Sequence, residues 1–573
     1  MYYKGNPVSR GIGIGKIHLY KPFIPSIAKN AIGPEDISRT IEIYENIKER
    51  AQEELKDIWQ RLMAEDEEKA KIFATHIEIL NDPAIDEDIR ASIVEDCINV
   101  DWAIHTIFEK YSTMLEKAKD MLIRERAADL KDVKLRLIRC FYGLPEKSLA
   151  SIQTPVIIIA HDLLPSDTVM LDPSKTLAIV TEIGGYTSHS AIIARNLEIP
   201  ALLGVKEATL ILKQSQIVIV DAVEGMLITE PNREQIDSYY MKQNNEVRYA
   251  AEVKKYMNCK PVTADGVSID IDLNISSADP RELEGEQFTD GVGLFRTEFL
   301  YMGRNRLPTE EEQYEIYKKV LLTFGLRPVT LRTLDIGGDK TLECLQLPKE
   351  DNPFLGNRAL RLCFHNPDIF KTQLRAALRA SVHGNLRIMF PMVSNMEDIY
   401  HAKALLKEVQ NELDNKNIPY SDQVKIGIMI EIPSIAIIAD LVVKEVDFAS
   451  IGTNDLTQYM IAVDRQNPNV AKYYQVYHPA ILRVIGFVIG QFVKAGKPIC
   501  VCGEMAGEVH SAAALIGLGI RQLSMNISSI GRIKKLINSL TIKQAIGIAE
   551  NLKSSLTAAE IEEYLKKSLT DIL

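Results

Sequence analysis

The sequence predicts an α/β protein in several parts. Residues 261–573 form a C-terminal (β/α)8 TIM barrel, residues 1–30 and 143–230 an α/β domain, residues 31–142 an α-helical segment inserted into that domain, and residues 231–260 a connecting helix. Three observations predict this. Beyond residue 261, eight short β-rich runs alternate with helix-length stretches. Ahead of them lies a tract whose apolar residues recur at helical spacing, and from 155 to 230 the pattern changes to short β runs broken by turn residues. The chain has 573 residues, well beyond the roughly 250–300 that one core supports.

The first twenty residues, with GIGIGKIHLY, read as a short strand punctuated by glycine. Gly33 and Pro34 are stop and start signals, after which Ile37, Ile41, Tyr44, Ala51, Leu55, Ile58 and Leu62 trace a helical stripe. Further helices follow, interrupted by NDP at 81–83 and ending before Gly143. PVIIIA, TLAIV and QIVIVD are strands of the next part, with one helical stretch after Gly185, and the polar residues 231–260 favour helix. The eight barrel strands fall in VSIDIDLNI, GVGLFRTE, PVTLRTLDI, LRIMFPMV, KIGIMIEI, VDFASIGT, PICVCGEM and RQLSMN.

Composition excludes several classes. With 46% hydrophobic and 25% charged residues, the chain can build a core and is neither disordered nor membrane-embedded. No stretch approaches the ~20 apolar residues of a membrane helix, and the start lacks a signal-peptide pattern, so a cytoplasmic protein without membrane insertion is expected. A net charge of -11 disfavours nucleic acid. Residues 31–140 hold 26 acidic against 17 basic residues, so most of the acidity sits in the helical segment, where it can attract a basic protein or simply form a solvated surface. Seven cysteines without a CxxC pair make neither a disulfide framework nor a zinc site.

Polar residues cluster where the barrel strands end. Arg296 closes GVGLFR, Arg332 lies in VTLRT, Glu431 closes IGIMIE, Asn454 and Asp455 follow SIGT, Arg465 comes just beyond, and Cys502 ends PICVC. Several arginines, each a planar and permanently charged fork, suit a small ligand rich in phosphate and carboxylate. Glu431 and Asp455 can supply oxygens to Mg2+. An internal network of arginine–carboxylate ion pairs is the competing reading. Cys500 and Cys502 share a strand face, but only Cys502 sits at the mouth, where a thiol can serve as general acid to an enolate; buried packing is the alternative.

In EIGGYTSHSAIIARNLEIPALLG, Gly184 and Gly185 form a tight loop ahead of Thr187, Ser188, His189 and Ser190, and AIIARNL continues as a helix. A histidine there sits where backbone N–H groups and the helix dipole favour an anion. Neutral imidazole is a nucleophile near neutral pH, and a hydroxyl of Thr187, Ser188 or Thr168 can fix its tautomer. No second histidine lies nearby at metal-ligand spacing.

Together GGYTSHSAIIAR, GVGLFRTEFLYM, RTLDIGGDK, NPFLGNRALR, EIPS, SIGTNDLTQY, VDRQNP, YHPAIL, VCGEMAG and LSMN resemble, in order and over essentially the whole chain, enzyme I of the bacterial phosphoenolpyruvate:sugar phosphotransferase system. RERAADLKDVKLRL resembles the end of that family's helical subdomain. The resemblance implies that the α/β domain is a phosphohistidine domain, phosphorylated on Nε2 of His189, and that Cys502 is the proton donor to enolpyruvate. It implies phosphoenolpyruvate contacts from Arg296, Arg332, Arg358, Asn454 and Arg465, and Mg2+ ligands in Glu431 and Asp455. It further implies HPr, the histidine-containing phosphocarrier protein, as a partner docking on 31–142, a homodimer through the barrel, and a hinge near 231–260. Tyr186 stands where the family commonly has a basic residue, and EIPS replaces the frequent ETPA. Two rivals remain open: a dikinase or phosphoenolpyruvate synthase, although no Gly-rich nucleotide loop precedes 231, and a regulatory protein that binds without turnover.

Overall fold

Two uninterrupted β-branched runs, VIIIA and IVIVD, determine the first sheet, because strands apolar on both sides must be covered on both faces. The computed structural model describes residues 1–21, 26–65, 67–116, 121–144, 149, 152–185, 188–302, 304, 306–337, 345, 348, 350–467 and 469–570. The chain divides into two compact units, Met1–Arg248 and Tyr249–Leu573.

The first unit holds an eight-stranded sheet: β1 (Tyr2–Lys4), β2 (Asn6–Ser9), β3 (Ile12–Tyr20), β4 (Val156–Ala160), β5 (Thr176–Thr181), β6 (Ala201–Leu203), β7 (Ile217–Asp221) and β8 (Met226–Thr229), in the order β1-β8-β7-β3-β4-β5-β6-β2. β3 to β6 are parallel, and the remaining neighbours pair antiparallel. One face packs Ile158, Ile179 and Leu203 against Ala191 and Ala194, and the other buries Ile157, Ile159, Val180 and Val218. The first twenty residues are three strands rather than one. Gly11, at φ 141°, makes a turn between β2 and β3 that disfavours any side chain.

Between β3 and β4 run the helices Ile37–Glu65, Glu67–Leu80, Pro83–Glu95, Val100–Glu116 and Met121–Phe141. The stripe of Tyr44, Ala51, Leu55 and Ile58 is buried in their own core with Phe73, Ile89, Ile104 and Leu137. NDP is a helix junction for a physical reason. The Asp82 carboxylate accepts hydrogen bonds from the backbone N–H of Ala84 (2.9 Å) and Ile85 (3.3 Å), and Pro83 occupies a first-turn position whose N–H has no intrahelical partner. The helix Arg233–Tyr256 crosses the boundary between the two units.

The second unit is a closed barrel of β9 (Asp270–Ile275), β10 (Gly291–Arg296), β11 (Pro328–Arg332), β12 (Asn385–Phe390), β13 (Lys425–Ile430), β14 (Phe448–Ile451), β15 (Ile499–Val501) and β16 (Gln522–Met525). All eight pairings are parallel, and each strand falls in one of the eight runs read from the sequence, β12 beginning one residue earlier, at Asn385. Outward residues such as Ile271, Val329, Ile388, Ile428 and Leu523 pack against the surrounding helices. Among the described residues no helix is long and apolar enough to cross a membrane.

Gly293 shows how tight the interior is, since a Cβ there would stand 2.5 Å from Cβ and Oγ of Ser524 and 3.0 Å from Cβ of Asp272. Replacing Gly293 with alanine is expected to cost about 1–3 kcal/mol through overpacking, read as a lowered denaturant midpoint for the barrel transition. An unchanged midpoint would mean that the interior can give way.

Candidate active site

In a (β/α)8 barrel the C-terminal ends of the strands share one mouth. Arg296 and Arg332 are the last residues of β10 and β11, while Glu431 and Cys502 directly follow β13 and β15. Asn454 and Asp455 open the helix Thr453–Met460 after β14, and Arg358 lies shortly before the helix Leu360–His365. With Arg465, these eight sequence-predicted residues line a single cavity of about 330 Å³, joined by Glu298, Phe299, Asp335 and Glu504.

Two of the guanidinium groups are almost fully buried, Arg332 at 6% exposure and Arg358 at 3%, so each needs a partner. Arg332 donates to Glu298 Oε1 at 2.7 Å and faces Asp335 Oδ2 at 2.9 Å. Arg358 spans both oxygens of Asp335, at 2.9 and 3.1 Å, and donates to Asp455 Oδ2 at 3.1 Å and to the Tyr459 hydroxyl at 3.1 Å. Burial works against the charge on Arg332, but Glu298, Asp335 and Glu431 outweigh it and hold the group protonated. Asn454 Nδ2 donates to Glu504 Oε1 at 3.2 Å, and its Oδ1 accepts from the Glu504 N–H at 3.1 Å. Glu298, Asp335 and Tyr459 are functional neighbours that the sequence reading did not single out. Glu298 and Asp335 lie in runs it quoted, and the demand of buried arginines for counter-charges is the signal that finds them.

The two carboxylates proposed for a metal retain free valence. Glu431 Oε1 accepts from the Met392 N–H at 2.7 Å, whereas its Oε2 is buried without a hydrogen-bond partner. Gly452 leaves room beside it: a Cβ there would stand 3.0 Å from Oε2. Asp455 Oδ1 accepts no hydrogen bond and lies 3.5 Å from Arg465 Nη2. Burial, then Asp455 and Asp335, push the Glu431 carboxyl up to about 8, against the pull of Arg332 and Arg358. Two unsatisfied oxygens on adjacent carboxylates fit a divalent cation. Cys502 is 2% exposed; burial raises its thiol, which stays protonated at neutral pH.

His189 begins the helix His189–Asn196 in the first unit. Ser188 caps that helix, its Oγ accepting from the Ala191 N–H at 3.3 Å. Ser190 donates to Asp162 Oδ1 at 3.3 Å and to the Leu163 carbonyl at 3.2 Å, and Thr168 Oγ1 donates to the Pro165 carbonyl at 2.8 Å. The His189 side chain, Tyr186, Thr187 and the Gly338–Lys340 end of RTLDIGGDK lie outside the described residues.

Three family profiles match the chain in order: "PEP-utilising enzyme, N-terminal" over residues 4–126, "PEP-utilising enzyme, mobile domain" over 152–225, and "PEP-utilising enzyme, PEP-binding domain" over 250–542. A phosphoenolpyruvate-protein phosphotransferase of Listeria innocua is 43% identical over 567 residues, covering 98% of this chain and 98% of its own length. The chain belongs to the phosphoenolpyruvate-protein phosphotransferases. The Bacillus subtilis member is 42% identical over 568 residues, 99% of each chain. A solved structure titled as an NMR solution structure of Enzyme I matches 43% of this chain at 34% identity, with a TM-score of 0.39. In this phosphotransferase the PEP-binding profile spans every cavity residue named above, and the mobile-domain profile spans His189.

A cation held by Glu431 must displace its proton. Apparent affinity for Mg2+ or Mn2+ should therefore fall as pH drops through about 8, approaching tenfold per pH unit, and Glu431→Gln should weaken binding and flatten this dependence. Titration calorimetry from pH 6 to 9 reads both. Binding independent of pH would place the cation elsewhere.

Proposed function

We propose that the chain takes the phosphoryl group of phosphoenolpyruvate onto His189, releases pyruvate, and passes the group to the histidine of HPr as the first step of a sugar phosphotransferase system. The observation that carries this reading is one cavity holding four arginines, two partly unsatisfied carboxylates and a buried thiol. Phosphate and carboxylate are the two groups that such a set of forks recognises, and an enol leaving group is what a thiol at the cavity wall can protonate.

Arg296, Arg332, Arg358, Asn454 and Arg465 bind the anionic groups. Glu431 and Asp455 would hold the proposed Mg2+, which would supply positive charge against the phosphoryl oxygens. The arginines, preorganised by their carboxylate partners, stabilise the charge that spreads over the transferring group. His189 attacks phosphorus in line as the bond to the enol oxygen breaks. Cys502 gives its proton to the methylene carbon of the enolate, and the imidazole loses one proton on becoming phosphoryl-imidazole, so the half-reaction is balanced. The N-terminal end of the His189 helix, with its helix dipole and first-turn backbone N–H groups, suits the resulting anion.

His189 and the cavity belong to different units, so the cycle calls for the His189 domain to serve the barrel and HPr in turn, with the helix Arg233–Tyr256 as the hinge. The helical segment 31–142, with its acidic surface, is the proposed dock for HPr. A homodimer through the barrel and a cytoplasmic location complete the reading.

Incubation with labelled phosphoenolpyruvate and Mg2+ should place an acid-labile phosphate on His189 that HPr discharges, whereas labelled ATP should leave none. His189→Ala should abolish both labelling and transfer, and Cys502→Ala should slow pyruvate formation by about 10²–10⁴. Transfer to HPr that survives in His189→Ala would overturn the assignment.

A further inference from the structure

Ile271, Leu273 and Ile275 of β9 pack outward against the helices, which turns Asn274 inward. Asn274 is the next-to-last residue of that strand, so its amide stands near the mouth. Leu294, its registered neighbour on β10, belongs to one small apolar cluster with Cys502. Packing at this level of the barrel therefore accepts an apolar side chain, and the amide at 274 answers to its hydrogen bonds. It is engaged at both ends. Nδ2 donates to the Cys502 carbonyl at 3.2 Å and to the Ser524 carbonyl at 3.4 Å, while Oδ1 accepts from the Ser524 hydroxyl at 2.6 Å. Two carbonyls can only accept, so they settle which way the amide faces.

The bond to Cys502 falls where the sheet stops. β15 and β16 pair at Val501 and Leu523, one residue short of Cys502, and a carbonyl in a residue only 2% exposed needs a donor. Asn274 supplies one from two strands away. The segment around the thiol is then held at three successive points. The Cys502 N–H donates to the Ile451 carbonyl at 3.2 Å, the Cys502 carbonyl is held by Asn274, and the Glu504 N–H donates to Asn454 Oδ1 at 3.1 Å. Between them Gly503 lies so close to Thr453 that a Cβ would collide with its hydroxyl. Asn274 does not line the cavity that holds Cys502; it lines an adjoining one of about 230 Å³, which shares Arg296 with it. Its effect on the chemistry must therefore pass through another residue.

We propose that Asn274 is the positioning residue of Cys502: by holding its carbonyl through an amide oriented by Ser524, it aims the thiol at the methylene carbon of the enolate. This rests on Cys502 being the proton donor. Proton transfer to carbon needs the sulfur at a fixed distance and angle, and a misplacement of about 1 Å can cost about 10² in rate. With both flanking peptide groups pinned, the thiol keeps only its own side-chain rotation, and Sγ donates to the Ile451 carbonyl at 3.7 Å. The arginines that grip the phosphoryl group lie on other strands, so loss of Asn274 should spare the attack of His189 and impair the protonation that follows it.

The test uses the full chain with phosphoenolpyruvate and Mg2+ in a single turnover. Phosphohistidine is read by rapid quench in base, and pyruvate by lactate dehydrogenase, which takes only the keto form. Asn274→Ala should slow pyruvate formation by about tenfold or more while the initial rate of phosphohistidine formation stays parental. Asn274→Asp, which sets an oxygen against two carbonyls, should do the same. In a Cys502→Ala chain, adding Asn274→Ala should slow pyruvate no further, because the two residues act as one unit. Should Asn274→Ala fail to fold, Ser524→Ala, which removes only the hydroxyl that orients the amide, carries the same comparisons. Parental pyruvate formation, equal slowing of both readouts, or a full additional loss in the Cys502→Ala chain would each overturn the positioning role. If Cys502→Ala leaves pyruvate formation unslowed, the donor assignment falls and this inference with it; if Cys502→Ala is slow while the Asn274 variants are parental, only this inference falls.

Discussion

The guanidinium groups of Arg332 and Arg358 are buried at the barrel mouth, and the site around them is arranged to keep both paired. A buried charge left alone costs about 3–5 kcal/mol, so Glu298, Asp335 and Asp455 are as much a part of the site as the arginines. Asp335 is the hinge of this arrangement, since it touches both guanidinium groups. Pairing also sets the terms for a ligand. Among the described lining residues four arginines face five carboxylates, so the cavity's own charges come close to cancelling. Phosphoenolpyruvate, bound there as proposed, would bring about three negative charges, more than the arginines could take up while keeping their present partners. In the proposed reading a divalent cation on Glu431 and Asp455 would restore the balance, and the Glu431 carboxyl, pushed up by burial beside other carboxylates, is where that positive charge would act.

The barrel was legible because eight apolar runs recur in regular alternation with helix-length stretches and polar residues end them, so that even strands as short as β15, of three residues, stood out by their place in the series. The cavity residues were legible for a related reason: a polar side chain at or just past a strand's C-terminal end is readily placed at the mouth, whereas apolar residues there, such as Ile430 and Ile451, pack into the core. Glu298 and Asp335 escaped because an acidic residue after a strand looks like any other solvated end until a buried arginine needs it. The competing reading, an internal arginine–carboxylate network, describes the ion pairs of Arg332 and Arg358 with Glu298, Asp335 and Asp455, and such a network is compatible with the proposed ligand binding as a preorganised set of charges.

The first unit was legible in part. VIIIA, TLAIV and IVIVD stood out as strands, whereas β6 and β8, of three and four residues, are too short for periodicity to reveal. The opening segment folded into three strands because Gly11 permits a reversal that the sequence marks only as punctuation. NDP was legible as a break because Asp and Pro there have specific capping work. At His189 the chemistry was visible mainly through the residues around it, since a single loop histidine carries no pattern of its own.

The charge balance at the mouth is tested most directly by calorimetric binding of phosphoenolpyruvate to a His189→Ala chain, where turnover is blocked, with and without Mg2+. The account predicts that each ligand tightens the other at least tenfold, reciprocally, and that Arg332→Ala abolishes this coupling. Phosphoenolpyruvate binding that ignores both Mg2+ and Arg332 would contradict it.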